Sequence, residues 1–285
     1  MRSEEDRRGG VGGHAPERPD WITPQDWDGY TPQEHGVWRT LFERQIGLLP
    51  GRASQHYLDG LNGLPIGPEA IPDFEALSEV LTRRTGWRVV AVPGMVPNDV
   101  FFDHLAHRRF PAGRFIRTPA QLDYLQEPDV FHDIFGHAPM LMNPVMADFM
   151  QAYGEGGLRA LKLGALERIA RLYWYTVEFG LIAEAGDARI LGAGIASSFT
   201  ETLYALESPS PRRIGFDLRR VMRTHYRIDA LQENYFVLPS LDVLFDLADT
   251  DFGPVYEELA GMPDIQPPAI LPEDRVFMRG VGLER

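Results

Sequence analysis

Glu127-Pro128-Asp129-Val130-Phe131-His132-Asp133-Ile134-Phe135-Gly136-His137-Ala138-Pro139 is the stretch on which the reading of this chain turns. It sets two histidines five positions apart within an apolar run. On a regular helix five residues rotate by roughly 140°, so the two rings would face different sides. Both could reach one metal ion only where the backbone changes course, and Gly136 and Pro139 bracket His137 and permit that. The expectation is a helix that carries His132 and frays at His137. With 8 His in 285 residues, about 0.2 pairs of this spacing arise by chance, the ordinary false-positive level of a short motif. Taken singly, either ring can equally be a core or capping histidine.

Further along, Tyr173-Trp174-Tyr175-Thr176-Val177-Glu178-Phe179-Gly180-Leu181 is the most aromatic window of the chain. Glu178 has only Trp174, Tyr175, Leu181 and Ile182 three and four positions away, so no Lys or Arg is placed to neutralise it. A carboxylate buried there without a cation is costly. Either it turns to solvent, as on an ordinary amphipathic helix, or it meets a metal. Two neutral imidazoles and one carboxylate on a divalent ion form the facial triad of non-haem Fe(II) oxygenases, which leaves positions open for O₂ and substrate. The chain has no Cys, so thiolate sites and disulfides are excluded and any metal must be held by His and carboxylate.

Two other segments invite a functional reading beside a plain one. Arg117 closes the alternating segment Arg114-Phe115-Ile116-Arg117; it is either a solvated surface residue or a fork for a carboxylate. In Gly192-Ala193-Gly194-Ile195-Ala196-Ser197-Ser198 the glycines allow close backbone approach and the serines can be simple caps. No Lys follows, so this is not a phosphate-binding loop.

The rest of the chain supplies the frame. Thr31-Pro32-Gln33-Glu34 is a capping box with Pro at the first helical position, and Thr118-Pro119-Ala120-Gln121 repeats the logic ahead of Leu122 and Leu125. Asn143-Pro144 opens another helix, Ala165 to Phe179 reads as one long helix ended by Gly180, and Ser198-Phe199-Thr200-Glu201 is a further cap. Leu181–Glu184 and Arg189–Ile195 read as a hairpin about Gly186-Asp187, and Tyr226–Leu238 as extended. Ser240 to Leu259 returns to helix. The predicted class is mainly α (α+β): a multi-helical single catalytic domain over 21–285 with a small sheet and hairpin component, without the βαβ alternation of nucleotide-binding folds. Residues 1–20, charged and Gly-rich, are expected to be disordered.

Bulk properties narrow the classes. The net charge of −13 argues against nucleic acid or an anionic membrane as partner. No apolar run approaches membrane-spanning length and no signal-peptide core is visible, which places the expectation in the cytoplasm.

These blocks, in this order and at these separations, resemble the catalytic domain of the pterin-dependent aromatic amino acid hydroxylases, most strongly over 89–244. The resemblance rests on Glu127-Pro128-Asp129 followed by His132 and His137, on Tyr173 to Leu181, and on Gly192-Ala193-Gly194 with Ser197-Ser198-Phe199. It implies that His132, His137 and Glu178 bind Fe(II). It implies that Arg117 takes the substrate's α-carboxylate, helped by Ser197 and backbone near Gly194, and that Pro128, His132, Trp174 and Phe179 surround its ring. It implies a tetrahydropterin, of the tetrahydrobiopterin kind, stacked on Phe101 with Val96, Asn98, Ala170 and Tyr173 around it. The implied reaction consumes L-phenylalanine, O₂ and the reduced pterin and yields tyrosine, with a functional link to pterin-recycling enzymes.

The sequence departs from that pattern in places. Asp133 stands where many animal members have Glu, Leu125 where they have Thr, and Asn98 where they have Ser. The segment from Asp264 onward is interrupted by Pro267, Pro268 and Pro272 and has no heptads, so the expectation is the short, monomeric bacterial type. Trp174 and the aliphatic Ile228 favour phenylalanine over tyrosine or tryptophan, the alternatives within the family. Outside it, a zinc hydrolase would want Glu where Asp133 stands and a closer His pair. A 2-oxoglutarate oxygenase would want His-x-Asp/Glu, and an inactive ligand-binding homologue would have lost a ligand or Arg117.

Overall fold

The computed structural model describes residues 19–123, 125–278 and 282–284. Of residues 1–20, expected to be disordered, 1–18 lie outside the described residues, while Pro19 and Asp20 form a turn. Helix α1 (Pro32–Ile46) begins at Thr31, whose capping box with Glu34 is formed in both directions. It buries Val37, Trp38, Leu41, Phe42 and Gln45, the face predicted by their spacing. Helices α2 (Gln55–Asn62) and α3 (Phe74–Thr85) follow, capped by Ser54 and Asp73. Strand β1 (Arg88–Val92), helix α4 (Asn98–Ala106) and strand β2 (Arg109–Gly113) make a two-stranded parallel unit. The sequence reading did not anticipate these strands, whose short runs Val89–Val92 and Phe110–Gly113 lack the polar–apolar alternation of a strand.

The chain then runs past the His132–His137 segment into α5 (Pro144–Leu163) and α6 (Leu166–Tyr173). Asn143 caps α5 as its Asn-Pro start predicts. The helix expected over Ala165–Phe179 runs from Leu166 to Glu178, with α6 widening into a π-helical turn at Trp174–Glu178. At Gly180 a Cβ would lie 2.2 Å from the Thr176 carbonyl oxygen, so only Gly allows the chain to leave so sharply.

Strands β3 (Leu181–Glu184) and β4 (Asp187–Ile190) form the hairpin. Its turn is Ala185-Gly186, both at positive φ, one position earlier than expected and of the kind that fits a two-residue hairpin loop. The second strand stops at Ile190, and Ala193–Ala196 is a helical turn, α7, not strand. Helix α8 (Phe199–Glu207) is capped by Ser198, strand β5 (Arg212–Gly215) follows, and α9 (Leu218–Arg223) leads to β6 (Asn234–Leu238). Only the end of the predicted extended run 226–238 is therefore strand. Ser240–Leu259 divides into α10 (Asp242–Ala248) and α11 (Phe252–Leu259), and β7 (Val276–Met278) and β8 (Gly282–Glu284) close the sheet. The larger sheet has the order β4-β3-β6-β5-β7-β8, with β3–β6 and β5–β6 parallel and the other pairs antiparallel. The helices share one buried apolar cluster with the sheet, and Phe131, Phe135, Leu172, Tyr175 and Val177 lie inside it. The predicted helical class with a small sheet is the observed one.

Thr118 does form its capping box, but it caps only the single 3₁₀ turn Pro119–Gln121.

Asp264, beyond α11, ties this tail to α6. It accepts from Arg168 Nη1 at 2.5 Å and from Arg171 Nη1 and Nη2 at 2.8 and 2.9 Å, and His225 Nε2 lies 3.0 Å away. The Arg171 hydrogen bonds hold its carboxyl down to about 2. A depressed carboxyl stabilises the fold above the unfolded value of about 4 and stops doing so as pH falls toward 2. Asp264→Asn is expected to lower the melting temperature by roughly 2–6 °C at pH 7, with the gap from the parent chain narrowing as the pH of the scan is lowered to about 3. A gap that stays constant with pH would show that the charge is not what matters.

Candidate active site

His132 to His137 is a π-helical turn, not the frayed helix end expected from Gly136 and Pro139. Its wider i→i+5 closure makes residues five apart neighbours on one face. The two imidazole centroids lie 4.9 Å apart, and the Nε2 atoms are 3.1 Å apart. Opposite them, Phe131 and Phe135 stack at 4.8 Å and meet Trp38 and Phe42 of α1 edge-on. The apolar residues of the motif thus anchor the turn in the core while its histidines face the other way. Gly136 permits this packing, since a Cβ there would lie 3.0 Å from the Ala193 carbonyl oxygen.

A second π-helical turn delivers Glu178. Phe179 N–H donates to Trp174 O, five residues back, at 2.8 Å. Glu178 Oε1 lies 3.1 Å from His137 Nε2, and Oε2 lies 3.5 Å from His132 Nε2. One ligand atom from each of the three residues falls within 4.8 Å of the others. Glycine again makes the approach possible, because a Cβ on Gly192 would lie 2.3 Å from the Glu178 carbonyl oxygen.

The electrostatics prepare this set for a cation. Burial lowers the His132 pKa to about 4, with Glu178 pulling the other way. Its ring is therefore neutral, with a lone pair to offer, at neutral pH. Burial opposes ionisation of Glu178, but the adjacent His137 and His132 more than offset it and leave its pKa below the ordinary value. His132 Nδ1 lies 3.0 Å from Ser197 Oγ, which itself donates to Ala193 O at 2.8 Å. A serine hydroxyl has one proton to give, so Ser197 accepts from His132 Nδ1–H and Nε2 keeps the lone pair that faces Glu178. His137 Nδ1 is buried without a hydrogen-bond partner among the described residues. Two imidazoles and one carboxylate, inward-facing and mostly buried, fit an Fe(II) ion with open positions.

The other predicted site residues divide into three groups. Arg117 is not a solvated surface residue. Its Nε and Nη2 clasp the fully buried Asp129 at 2.8 and 2.9 Å, which leaves Nη1 as the donor outside the pair. Asp129 also accepts from Arg117 N–H at 3.0 Å and from His132 N–H at 3.1 Å. It joins the arginine to the first histidine and is the main residue that the sequence reading passed over. The signal was available: an Asp three positions before His132 is placed as an N-cap. Pro128 adjoins this clasp, and its carbonyl faces Gly113.

Trp174, Phe179 and Tyr226 form an aromatic wall. Trp174 stacks on Tyr226 at 4.2 Å and meets Phe179 at 4.7 Å, and its Nε1–H donates to Gln232 Oε1 at 2.9 Å. Gly194 sits between Phe179 and the Glu178 carboxylate, where a Cβ would come within 2.9 Å of the ring and 3.2 Å of Oε2. Ile228, by contrast, is 60% exposed.

Asn98, Phe101 and Ala170 line a cavity of about 430 Å³ together with Phe102, Tyr153 and Tyr226. Tyr173 meets Phe101 edge-on at 5.9 Å and stacks on His137 at 6.2 Å, so it stands between this cavity and the three-ligand cluster. The aromatic side of this cavity, faced by the polar Glu167, Arg171 and His225, suits a flat heteroaromatic ring with polar edges such as a pterin. Val96 is half-buried in the loop before α4 and is not part of that lining. Asp133 accepts from Gly113 N–H at 2.7 Å, and burial pushes its carboxyl up to about 7.

The chain is similar to known proteins over most of its length. The biopterin-dependent aromatic amino acid hydroxylase family matches residues 27–247. The phenylalanine-4-hydroxylase of Caulobacter vibrioides is 60% identical over 263 residues, which cover 92% of this chain and 90% of that protein. A crystal structure of the Chromobacterium violaceum phenylalanine hydroxylase with iron and phenylalanine bound is similar with a TM-score of 0.87 and 51% identity, over 93% of this chain and 96% of that one. Another, with iron(III) and 7,8-dihydrobiopterin bound, gives 0.87 and 54% over 90% and 93%.

The clasp between Arg117 and Asp129 makes a stability prediction of its own. Removing one partner of a buried ion pair strands the other, so Asp129→Ala is expected to cost about 3–5 kcal/mol in urea unfolding. A loss under about 1 kcal/mol would mean that the pair is solvated and does not organise this corner.

Proposed function

Because the chain belongs to the biopterin-dependent aromatic amino acid hydroxylases, we propose that it hydroxylates L-phenylalanine to L-tyrosine at an Fe(II) ion held by His132, His137 and Glu178. The observation that carries this reading is the convergence of His132 Nε2, His137 Nε2 and the Glu178 carboxylate next to an aromatic wall and an aromatic cavity. Bound Fe(II) and a reduced pterin supply the activation of O₂ and the two electrons needed beyond those taken from the ring.

The chain's own residues bind and orient. Trp174 and Phe179 hold the substrate ring, with Pro128 and His132 on its border. Arg117 Nη1 takes the α-carboxylate beside the backbone at Gly194. Ser197 serves mainly by fixing the His132 tautomer. Phe101, Asn98, Ala170 and Tyr173 receive the pterin, with Val96 at the edge of that site. The preference for an unsubstituted ring rests on the Trp174–Phe179 wall and on the phenylalanine hydroxylases among the relatives. Ile228 contributes little, given its exposure. Phe179 and Trp174, packed at a tilt with ring centroids 4.7 Å apart, limit water at the ring. The catalytic unit is read as one domain from residue 21 onward. It acts as a monomer in the cytoplasm, where a reductase must return the oxidised pterin. No helix among the described residues is long and apolar enough to cross a membrane.

An assay with Fe(II), a tetrahydropterin and each aromatic amino acid, moved from anaerobic to aerobic conditions, tests the reading. Tyrosine is expected from phenylalanine on admission of O₂ and not before; product from another amino acid at a higher rate would reassign the substrate. Glu178→Ala should abolish tyrosine formation and weaken metal binding by about tenfold or more; full activity would remove Glu178 from the site. Arg117→Lys keeps the charge facing Asp129 but loses the fork. It should raise the KM for phenylalanine by roughly tenfold with metal content intact, whereas an unchanged KM would mean that another group holds the carboxylate.

A further inference from the structure

The π-helical turn that carries both histidines has a weak point in its backbone. In an α-helix the Phe135 carbonyl would accept from the N–H four residues on, but that residue is Pro139, which has none. Ala138 N–H, the preceding donor, goes to Ile134 O. A carbonyl buried without a partner is costly. In this chain the partner comes from another element: Tyr57 OH, on α2, donates to Phe135 O at 2.5 Å.

The tyrosine is built for this. It is 1% exposed, its own N–H is capped by Ser54 Oγ at 3.2 Å, and burial pushes its hydroxyl well above the usual tyrosine pKa, so it remains a donor. Helix α2 lies against the segment that follows His137. A Cβ on Gly60 would sit 2.0 Å from the Pro139 carbonyl oxygen. Phe135 is held on its ring side by Phe131 and Phe42, and Tyr57 fixes its peptide. The carbonyl so fixed lies between the two histidines in sequence, two residues before His137.

We propose that Tyr57 is a positioning residue of the metal centre, whose hydroxyl holds the His132–His137 turn in π geometry by binding the carbonyl whose α-helical donor Pro139 removes. It touches neither substrate nor metal and acts through the backbone. The inference rests on the reading of His132, His137 and Glu178 as the ligands.

The matched control is Thr85, whose Oγ1 donates to Leu141 O at 2.7 Å. This is the same kind of side chain-to-carbonyl bond to the same segment, but beyond the π turn. Co(II) titration of full-length protein, followed by its visible absorption bands, is compared across the parent chain, Tyr57→Phe, Thr85→Val and His132→Ala, with apo melting temperatures recorded alongside. Both conservative variants are expected to melt a few degrees below the parent. Tyr57→Phe should bind Co(II) about tenfold more weakly and with shifted bands, whereas Thr85→Val should stay within about twofold of the parent with its spectrum unchanged. Parental affinity and spectrum in Tyr57→Phe would overturn the proposal. So would an equal weakening in Thr85→Val, which would reduce Tyr57 to general stability. His132→Ala with parental affinity would instead refute the ligand reading itself, an outcome separate from the first two.

Discussion

A regular α-helix would aim His132 and His137 roughly 140° apart, and no rotamer choice would bring both ring nitrogens to one small ion. The π-helical closure of residues 132–137 removes that obstacle, and every other feature of the site presupposes it. Phe131 and Phe135 must pack on α1 for the turn to sit in the core. Ser197 must accept from His132 for its Nε2 to face inward. Gly136 must lack a Cβ for the Ala193 backbone to come close. A wide turn is a poor local choice for a polypeptide, since it gives up well-formed α-helical bonds. It persists because its apolar side is buried and its stray carbonyl is occupied.

The same device recurs at Trp174–Glu178, and there it does two things at once. It turns Glu178 toward the histidines, and it leaves Trp174 and Phe179 on the wall beside them. The three-ligand cluster and the aromatic wall are thus set by one backbone irregularity, so a change in the packing of α6 reaches both. The network of Arg168, Arg171, His225 and Asp264 braces the start of that helix from outside. Tyr173 lies between His137 and the aromatic cavity and touches the rings on both sides.

Much of this was legible from side-chain chemistry. A carboxylate in an aromatic window without a nearby base, and two histidines in a chain without cysteine, left a metal triad as one of two readings, and the family resemblance chose between them. Caps with a local mechanism, such as Thr31, Asn143 and Ser198, formed as read. What escaped were features set by distant contacts. Thr118 has the same cap chemistry as Thr31, yet only one 3₁₀ turn follows it, since Leu122 and Leu125 have no helical apolar stripe behind them to bury. The π turns have no periodic signature; Gly136 and Pro139 announced an irregularity but not its kind. Strands β1 and β2 are held by α3 and α4 packed around them more than by alternation. Gln232 and Tyr57 work through residues more than fifty positions away, which no single window displays; Asp129, by contrast, was legible as the cap three positions before His132.

The most direct measurement is an anomalous-difference map at the iron edge from crystals of the protein grown or soaked with Fe(II) under anaerobic conditions. Convergence of the two π turns on one ion predicts a single strong peak about 2.0–2.3 Å from His132 Nε2, His137 Nε2 and a Glu178 oxygen, in the range of ordinary metal–ligand bonds. A peak elsewhere, or one bonded to a single histidine with Glu178 turned away, would contradict it.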